Sequence, residues 1–479
     1  MTRAAKLGIL TLCLSLANQG LSQSAPVSPD HPWHSSAEQR VERYAERTRG
    51  HEFPVNASAT YSLAELVDLA ESHNPDTRAA WENARTQAAA LGVTRAELFP
   101  TLAVSALSET SRVETYLNTR FYRQTFQSSE LVLDLRYTIF DFGARAGRID
   151  AAKAELLAAN FTFNDVHRHL IYQVASAYYQ LLNAAGQEAA ARANLANAQA
   201  VQQAAEVSLK NGLATLPDVL EARSSTAQAE YDLQAALGAE DVAHGNLATA
   251  LGASPTSSIS VRPLDQVALP DGTEGTVEEA IDRALRRRPD LMRQTETVRA
   301  ADAELKQAQA AYFPTLGVNG QPAAQSLYGM QETLPWGHTA GLNGDLTFNL
   351  NWTIFDGGAR KNEVARARSN VQAASAQADA LRDQIENGVW TAYSNLKTAL
   401  RQRQAAQALL DASNQSYNAA IQSYRYGVRN LLDVTEAQRT LARARSAEVL
   451  ARTQVLTALA DLALETGDAI QPGKPRPQP

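Results

Sequence analysis

The sequence predicts a chain that is part membrane β-strand and part very long α-helix, with the whole plan written twice. Three observations lead there. Residues 345–355, DLTFNLNWTIF, alternate: Leu346, Phe348, Leu350, Trp352 and Ile354 are apolar, and Thr347, Asn349, Asn351 and Thr353 are polar. A period of two is a strand with unlike faces. Stretches 144–210 and 359–426 contain no proline and are rich in alanine and glutamine, which reads as helix; at 1.5 Å per residue each would be a rod of about 100 Å. Finally, TIFDFGAR at 138–145 recurs as TIFDGGAR at 353–360, an offset of 215. NPD and RPD at 74–76 and 288–290, FPTL at 99–102 and 313–316, and GLATLPDVLEA and GVRNLLDVTEA at 212–222 and 427–437 keep the same order. Landmarks in one order at one spacing mark a tandem duplication.

The elements follow in chain order. Residues 1–22 have a basic start, an apolar run over 7–17 and small residues after it, the layout of an export signal. The only cysteine, Cys13, lies inside it behind Leu12, a poor context for lipid attachment. A flexible segment is expected at 23–58. The first repeat, 59–251, opens on a helix broken at Pro75. A second helix runs to Phe99-Pro100, then come strands at 102–112 and 130–140, the long helix 144–210 and a helix at 217–251. A linker at 252–275 leads to the second repeat, 276–467. That repeat breaks at Pro289 and carries strands at 316–326 and 345–355, the long helix 359–426 and a helix at 429–467. The Pro-rich tail 468–479 is expected to be disordered. Segments 217–251 and 289–312 together match the length of the long rod, interrupted at 252–288.

The net charge is −7, and −9 without Arg3 and Lys6 of the leader, which argues against nucleic acid as a partner. No eighteen-residue apolar run crosses a membrane as helix. The strands, however, are about ten residues long with one apolar face, the pattern of a membrane barrel. ELVLDLRYTIF at 130–140 alternates as 345–355 does. Four strands cannot close a barrel, and open edges in lipid leave backbone groups unpaired. Several copies must share one barrel; three would supply twelve strands. Loops 113–129 and 327–344, rich in polar residues, are then expected to face outside. An elongated coiled coil without a pore is the rival reading of the rods alone.

These motifs, across about residues 60–467, resemble the TolC-type outer-membrane channels of bacterial efflux pumps and type I secretion systems. The resemblance implies a trimer with a twelve-stranded barrel in the outer membrane and a twelve-helix tunnel in the periplasm. It implies docking on a periplasmic adaptor protein and an inner-membrane transporter of the resistance-nodulation-division or ABC type. The function so implied is passive conduction of a pump's substrates to the outside, with the exit of a type I protein secretion system as the alternative. No nucleotide-binding loop, metal-ligand spacing or catalytic constellation stands out, so neither an enzyme nor a cofactor is expected.

The informative residues gather at the two turns ending the rods, with turn glycines Gly212 and Gly427. Thr215-x-x-Asp218 and Asn430-x-x-Asp433 have helix-capping spacing; capping alone is one reading of them, and a role at a pore mouth is the other. The resemblance further implies that Tyr424 and Arg429 bond to the neighbouring turn near Asp218, latching a narrow periplasmic mouth. It also implies that Asp433 and Glu436 line the lumen as a carboxylate ring that favours cations. Pro217 and Glu436 depart from the family pattern of a hydroxyl residue and an aspartate.

Overall fold

The computed structural model describes residues 59–117, 119–267, 269, 275–331 and 335–468. Residues 1–22 with Cys13, expected as an export signal, the segment 23–58 and residues 469–479 lie outside the described residues.

In the first repeat, β1 (Thr60–Tyr61) precedes α1 (Leu63–His73) and α2 (Pro75–Ala96). Strands β2 (Thr101–Leu117) and β3 (Arg120–Phe140) then lead into α3 (Ala144–Lys210) and α4 (Leu216–Ala250). Between the repeats lie β4 (Ser260–Val261) and a single 3-10 turn at Leu264–Gln266. The second repeat holds α5 (Val277–Arg287), α6 (Pro289–Ala310), strands β5 (Thr315–Gly320), β6 (Ala323–Gln331), β7 (Gly337–Asn343) and β8 (Leu346–Asn351), then α7 (Ala359–Arg425) and α8 (Leu431–Thr466). The expected linker is thus partly ordered, because β4 pairs in parallel with β1.

The sheet holds four long strands among the described residues, since β5 with β6 and β7 with β8 are interrupted single paths. Pro322 interrupts the first of these: it has no amide to donate, but its carbonyl accepts from Leu133 N at 2.9 Å. β2 pairs with β3 in unbroken register from Thr101–Arg136 to Leu117–Arg120. β3 pairs with β5 along its lower part and with β6 along its upper part. β8 and β7 complete the order. Directly paired residues share a face, so the register yields continuous rows. Leu102, Leu135, Gly320 and Leu346 form one; Tyr137, Val318 and Phe348 another; Phe140, Leu316 and Leu350 a third. The opposite face carries Arg136, Asn319 and Thr347, then Thr138 and Asn349.

The strands are longer than the alternation suggests, and this corrects the expected loops. Residues 113–117 and 120–129, expected as loop, are strand, as are 327–331 and 337–343. The reason is that above Ala106 and Leu131 the outward row turns hydrophilic (Ser108, Ser129, Ser326, then Thr110, Gln127) while pairing continues. Backbone pairing does not need an apolar face. In the other direction, strand 345–355 stops at Asn351. Beyond it Trp352 Nε1 donates to Tyr312 O at 3.1 Å, and Ile354 O accepts from Arg360.

The helices form a wall with the two long rods continuous. Along one half α3 packs between α4 and α8, and α7 packs on α8; along the other, α3 packs between α2 and α6, and α7 on α6. Alanines make these contacts: Ala151, Ala154, Ala175, Ala198 and Ala205 of α3 are buried, as are Ala378, Ala392, Ala399 and Ala420 of α7. Small side chains let axes approach closely. At Gly147 a β-carbon would come within 2.9 Å of Ala303 O and Gln307 N of α6. The short helices meet end to end within each repeat, which corrects the expected succession of 217–251 by 289–312. Asn74 Nδ2 donates to Ala250 O at 3.3 Å, so α4 abuts α2. Arg288 donates to Glu465 O at 3.3 Å, so α8 abuts α6. Asp468, expected in the disordered tail, is ordered by Arg287 at 2.7 Å.

Candidate functional site

Both rods end in the same backbone device. Gly212 and Gly427 sit at φ +71° and +69°, the left-handed region where glycine avoids the β-carbon penalty. Leu213 N donates back to Ser208 O at 2.8 Å and Val428 N to Ser423 O at 2.9 Å, so each long helix closes with a Schellman-type bond. The next helices begin differently. Asp218 accepts from Thr215 N at 2.8 Å and from Thr215 Oγ1 at 2.7 Å. Those bonds, the backbone one foremost, hold its carboxyl below the usual aspartate range. At the other turn Asn430 Oδ1 accepts from Asp433 N at 3.0 Å.

The structure brings some of the expected residues together. Tyr424 is buried in an apolar cluster with Val219, Ala222, Leu431 and Val434, which joins both hairpins. Its hydroxyl is buried without a hydrogen-bond partner among the described residues. Arg429 and Glu436 are exposed and Asp433 is half-buried. Within one chain Asp218 is engaged by Thr215, and no hydrogen bond or ion pair joins it to Tyr424 or Arg429 among the described residues. A bond that links the hairpins near these turns was missed: Arg439 of α8 donates to Glu221 of α4 at 3.0 Å. A signal for it existed, since each residue lies three positions after a singled-out carboxylate, Glu436 or Asp218.

A second missed pair explains the repeated TIFDxGAR. Asp141 accepts from Gly143 N, Arg145 N and Arg145 Nε at 3.3, 2.9 and 3.0 Å. Arg145 then donates to Glu97 O and Ile139 O, at the ends of α2 and β3. Asp356 and Arg360 repeat this, with Arg360 donating to Ala311 O and Ile354 O. One carboxylate caps the long helix, and one guanidinium ties the helix and strand ends into a junction. Exposed aromatics ring it: Phe99, Phe140, Phe313, Trp352 and Phe355, with Phe142 stacked on Phe313 at 5.0 Å. Aromatic girdles of this kind mark the edge of a lipid-facing band.

The apolar band above that girdle runs along about ten residues of β3, from Phe140 to Leu131. With ordinary rise and tilt this is about 25 Å, the height of a membrane barrel's lipid face. Leu102, Val104, Leu346, Phe348 and Leu350 on it are all well exposed. Among the described residues no helix is long and apolar enough to cross a membrane, and no group of His, Cys, Asp and Glu could hold a metal ion.

The chain is similar in sequence and in fold to known proteins. The chain is 27% identical over 411 residues to protein CyaE of Bordetella pertussis, covering 86% of this chain and 85% of that one. It is 26% identical over 479 residues to outer membrane protein OprJ of Pseudomonas aeruginosa, covering 97% and 96%. The solved structure of the outer-membrane channel OprN superposes with a TM-score of 0.74 at 23% identity, over 87% of this chain and 94% of that one. The sequence profile of the outer membrane efflux proteins matches residues 66–253 and again 280–468, once per repeat, and the chain therefore belongs to the outer membrane efflux protein family.

Proposed function

We propose that this chain is the outer-membrane channel of a tripartite efflux pump, conducting substrates passively from an inner-membrane transporter and its periplasmic adaptor to the outside. One observation carries the reading: a sheet with a lipid-type outer face continues, through the Asp141 and Asp356 junctions, into a helical wall, and both are open at their edges. β2 at one side of the sheet and β7 with β8 at the other have no further strand partner among the described residues. The wall's edge helices expose apolar side chains, Tyr231 and Val242 on α4 and Trp390 on α7. Unlike edges of one chain fit each other head to tail, which closes a ring. Lipid tolerates strands only when such a ring is closed. Three copies would give twelve strands and a wall four helices wide per copy.

In that ring the two turns form the periplasmic mouth. Arg429 and Tyr424 of one hairpin reach the Asp218 turn of a neighbouring one as the latch, and Asp433 and Glu436 supply a carboxylate ring. Efflux rather than catalysis agrees with the family's channel proteins. Native mass measurement of the detergent-solubilised protein is expected to give three copies, and a stable folded monomer would sink the architecture. In planar bilayers Arg429→Ser is expected to raise conductance several-fold. An intact assembly of unchanged conductance would reduce these residues to helix caps.

A further inference from the structure

Above the apolar band the sheet keeps its outward face, and the register fixes what stands on it. Ala106, Leu131, Ala324 and Leu342 form the last apolar row. Ser108, Ser129, Ser326 and Ala340 follow, then Thr110, Gln127, Tyr328 and His338, then Arg112, Thr125 and Met330. Two residues of a strand tilted by about 40° rise about 5 Å. The Tyr328 row therefore stands about 10 Å, and the Arg112 row about 15 Å, above the last apolar row. An ordinary headgroup layer is only about 5–8 Å deep on each side, so these rows lie beyond it.

The two faces of the sheet differ in charge. Of the carboxylates in β2 and β3, Glu109, Glu130 and Asp134 are on the inward face. Glu114 is outward and is neutralised by Arg123 across the hairpin at 3.3 Å. Arg112 is exposed on the same outward face. Its Nε donates to Thr125 Oγ1 at 3.2 Å, and it makes no ion pair among the described residues, which leaves one uncompensated guanidinium per copy. One row below, Tyr328 and His338 stack with ring centroids 4.2 Å apart, and Ser326 Oγ lies 3.0 Å from His338 Nε2. Tyr328 is 45% exposed. A guanidinium fork matches phosphate. Flat exposed rings beside hydroxyls match a sugar, which offers C–H faces to the rings and hydroxyls to the polar tips.

We propose that this outward strip, Arg112 with Tyr328 and His338, docks the phosphorylated sugar headgroup of an outer-leaflet glycolipid. The occupant is a lipid because the strip continues the lipid-facing rows without a break in register. It is a glycolipid because the strip stands higher than a phospholipid headgroup reaches. Arg112 takes the phosphate, and the Tyr328–His338 pair takes a sugar ring. Closing the ring of copies pairs strand edges and leaves this face uncovered. The layer is hydrated, so small reagents still reach side chains within it.

The docking surface rests on the outward, lipid-facing orientation of this face in the proposed channel, and the test separates the two. The purified assembly in detergent is titrated with rough lipopolysaccharide, whose core sugars carry phosphate, with its lipid A part alone, and with phosphatidylglycerol. Rough lipopolysaccharide is expected to bind more tightly than either of the others. Arg112→Gln is expected to weaken that binding about fivefold, the effect of one basic residue at an anionic membrane surface, and to leave phosphatidylglycerol binding unchanged. Tyr328→Ala is expected to weaken it as well, whereas Arg136→Gln, on the inward face, is expected to change nothing. Equal binding of the three lipids, or unaltered binding in the variant that combines Arg112→Gln with Tyr328→Ala, would overturn the docking surface. A fluorophore on Val104→Cys, quenched by phospholipid with a nitroxide on its chain, reports the apolar band separately. Quenching together with equal lipid binding strikes only the docking surface, and absence of quenching strikes the outward face itself.

Discussion

Asp141 shows how much one side chain can decide. It receives three hydrogen bonds at the start of a helix of 67 residues, and its partner Arg145 is aimed by it at two carbonyls. Asp141→Ala removes the cap, at about 0.5–2 kcal/mol, and frees Arg145 from its anchor. The expected result is a lower thermal midpoint in detergent and faster amide exchange at residues 143–147. Asp218 makes a different prediction, about acid. Its carboxyl is held below the usual range by Thr215. A depressed carboxylate contributes stability that is present above its unfolded pKa of about 3.9 and is lost as pH falls through its folded value. Amide protection in the first turn of α4 is therefore expected to hold from neutrality to about pH 4 and fall below it. Asp218→Asn is expected to abolish that acid step, and a parent whose protection already declines between about pH 7 and 5 would contradict it.

At the scale of elements, the helices were legible and the upper strands were not. A proline-free run of 67 residues has few alternatives to helix, and Pro75 and Pro289 stand at the first positions of α2 and α6, where proline is tolerated. Strands announce themselves by alternation only where their two faces meet unlike surroundings. Residues 108–115 and 122–130 have polar side chains on the outward row and mixed ones on the other, so no period of two survives, yet the register continues. The boundary between the two regimes can be tested with single cysteines on one face of β2. Val104→Cys lies in the apolar band and Thr110→Cys three outward positions beyond it. A membrane-impermeant maleimide is expected to label the Thr110→Cys variant in intact cells and to spare the Val104→Cys variant. Labelling of Thr110→Cys only after outer-membrane disruption would reverse the orientation.

For the whole molecule, the decisive contacts tie the repeats to each other. Arg168, 1% exposed, sits on α3 of the first repeat. It donates to Asp165 at 2.7 Å and to Leu464 O of α8 at 2.7 Å, with Asp290 of α6 at 3.8 Å. Beside it Arg288 bonds Asp290 at 2.7 Å and Glu465 at 2.5 Å. Burial pushes the Asp290 carboxyl up, but the Arg288 hydrogen bond and charge outweigh it, and the net shift is down. Removing one partner of such a buried set leaves a charge unpaired, at about 3–5 kcal/mol. Arg168→Ala is expected to lower the unfolding midpoint strongly, while Arg85→Ala, at an exposed pair within α2, is expected to leave it within experimental scatter.

The repeat, the helical rods and the two-faced strand bases were all readable from residue order, because they rest on local periodicity, of two along a strand and of one landmark set along the chain. The family followed from the motifs that those periodicities frame. Reading the turns for their charges found Asp218 and Glu436 but passed over Glu221 and Arg439, which lie 218 residues apart. The same held for Arg168 with Leu464, for α4 meeting α2 instead of α6, and for the carbonyls that Arg145 and Arg360 reach. No local pattern records such pairings. They arise only when the wall brings distant helices side by side, so that packing between remote segments chooses which charges meet.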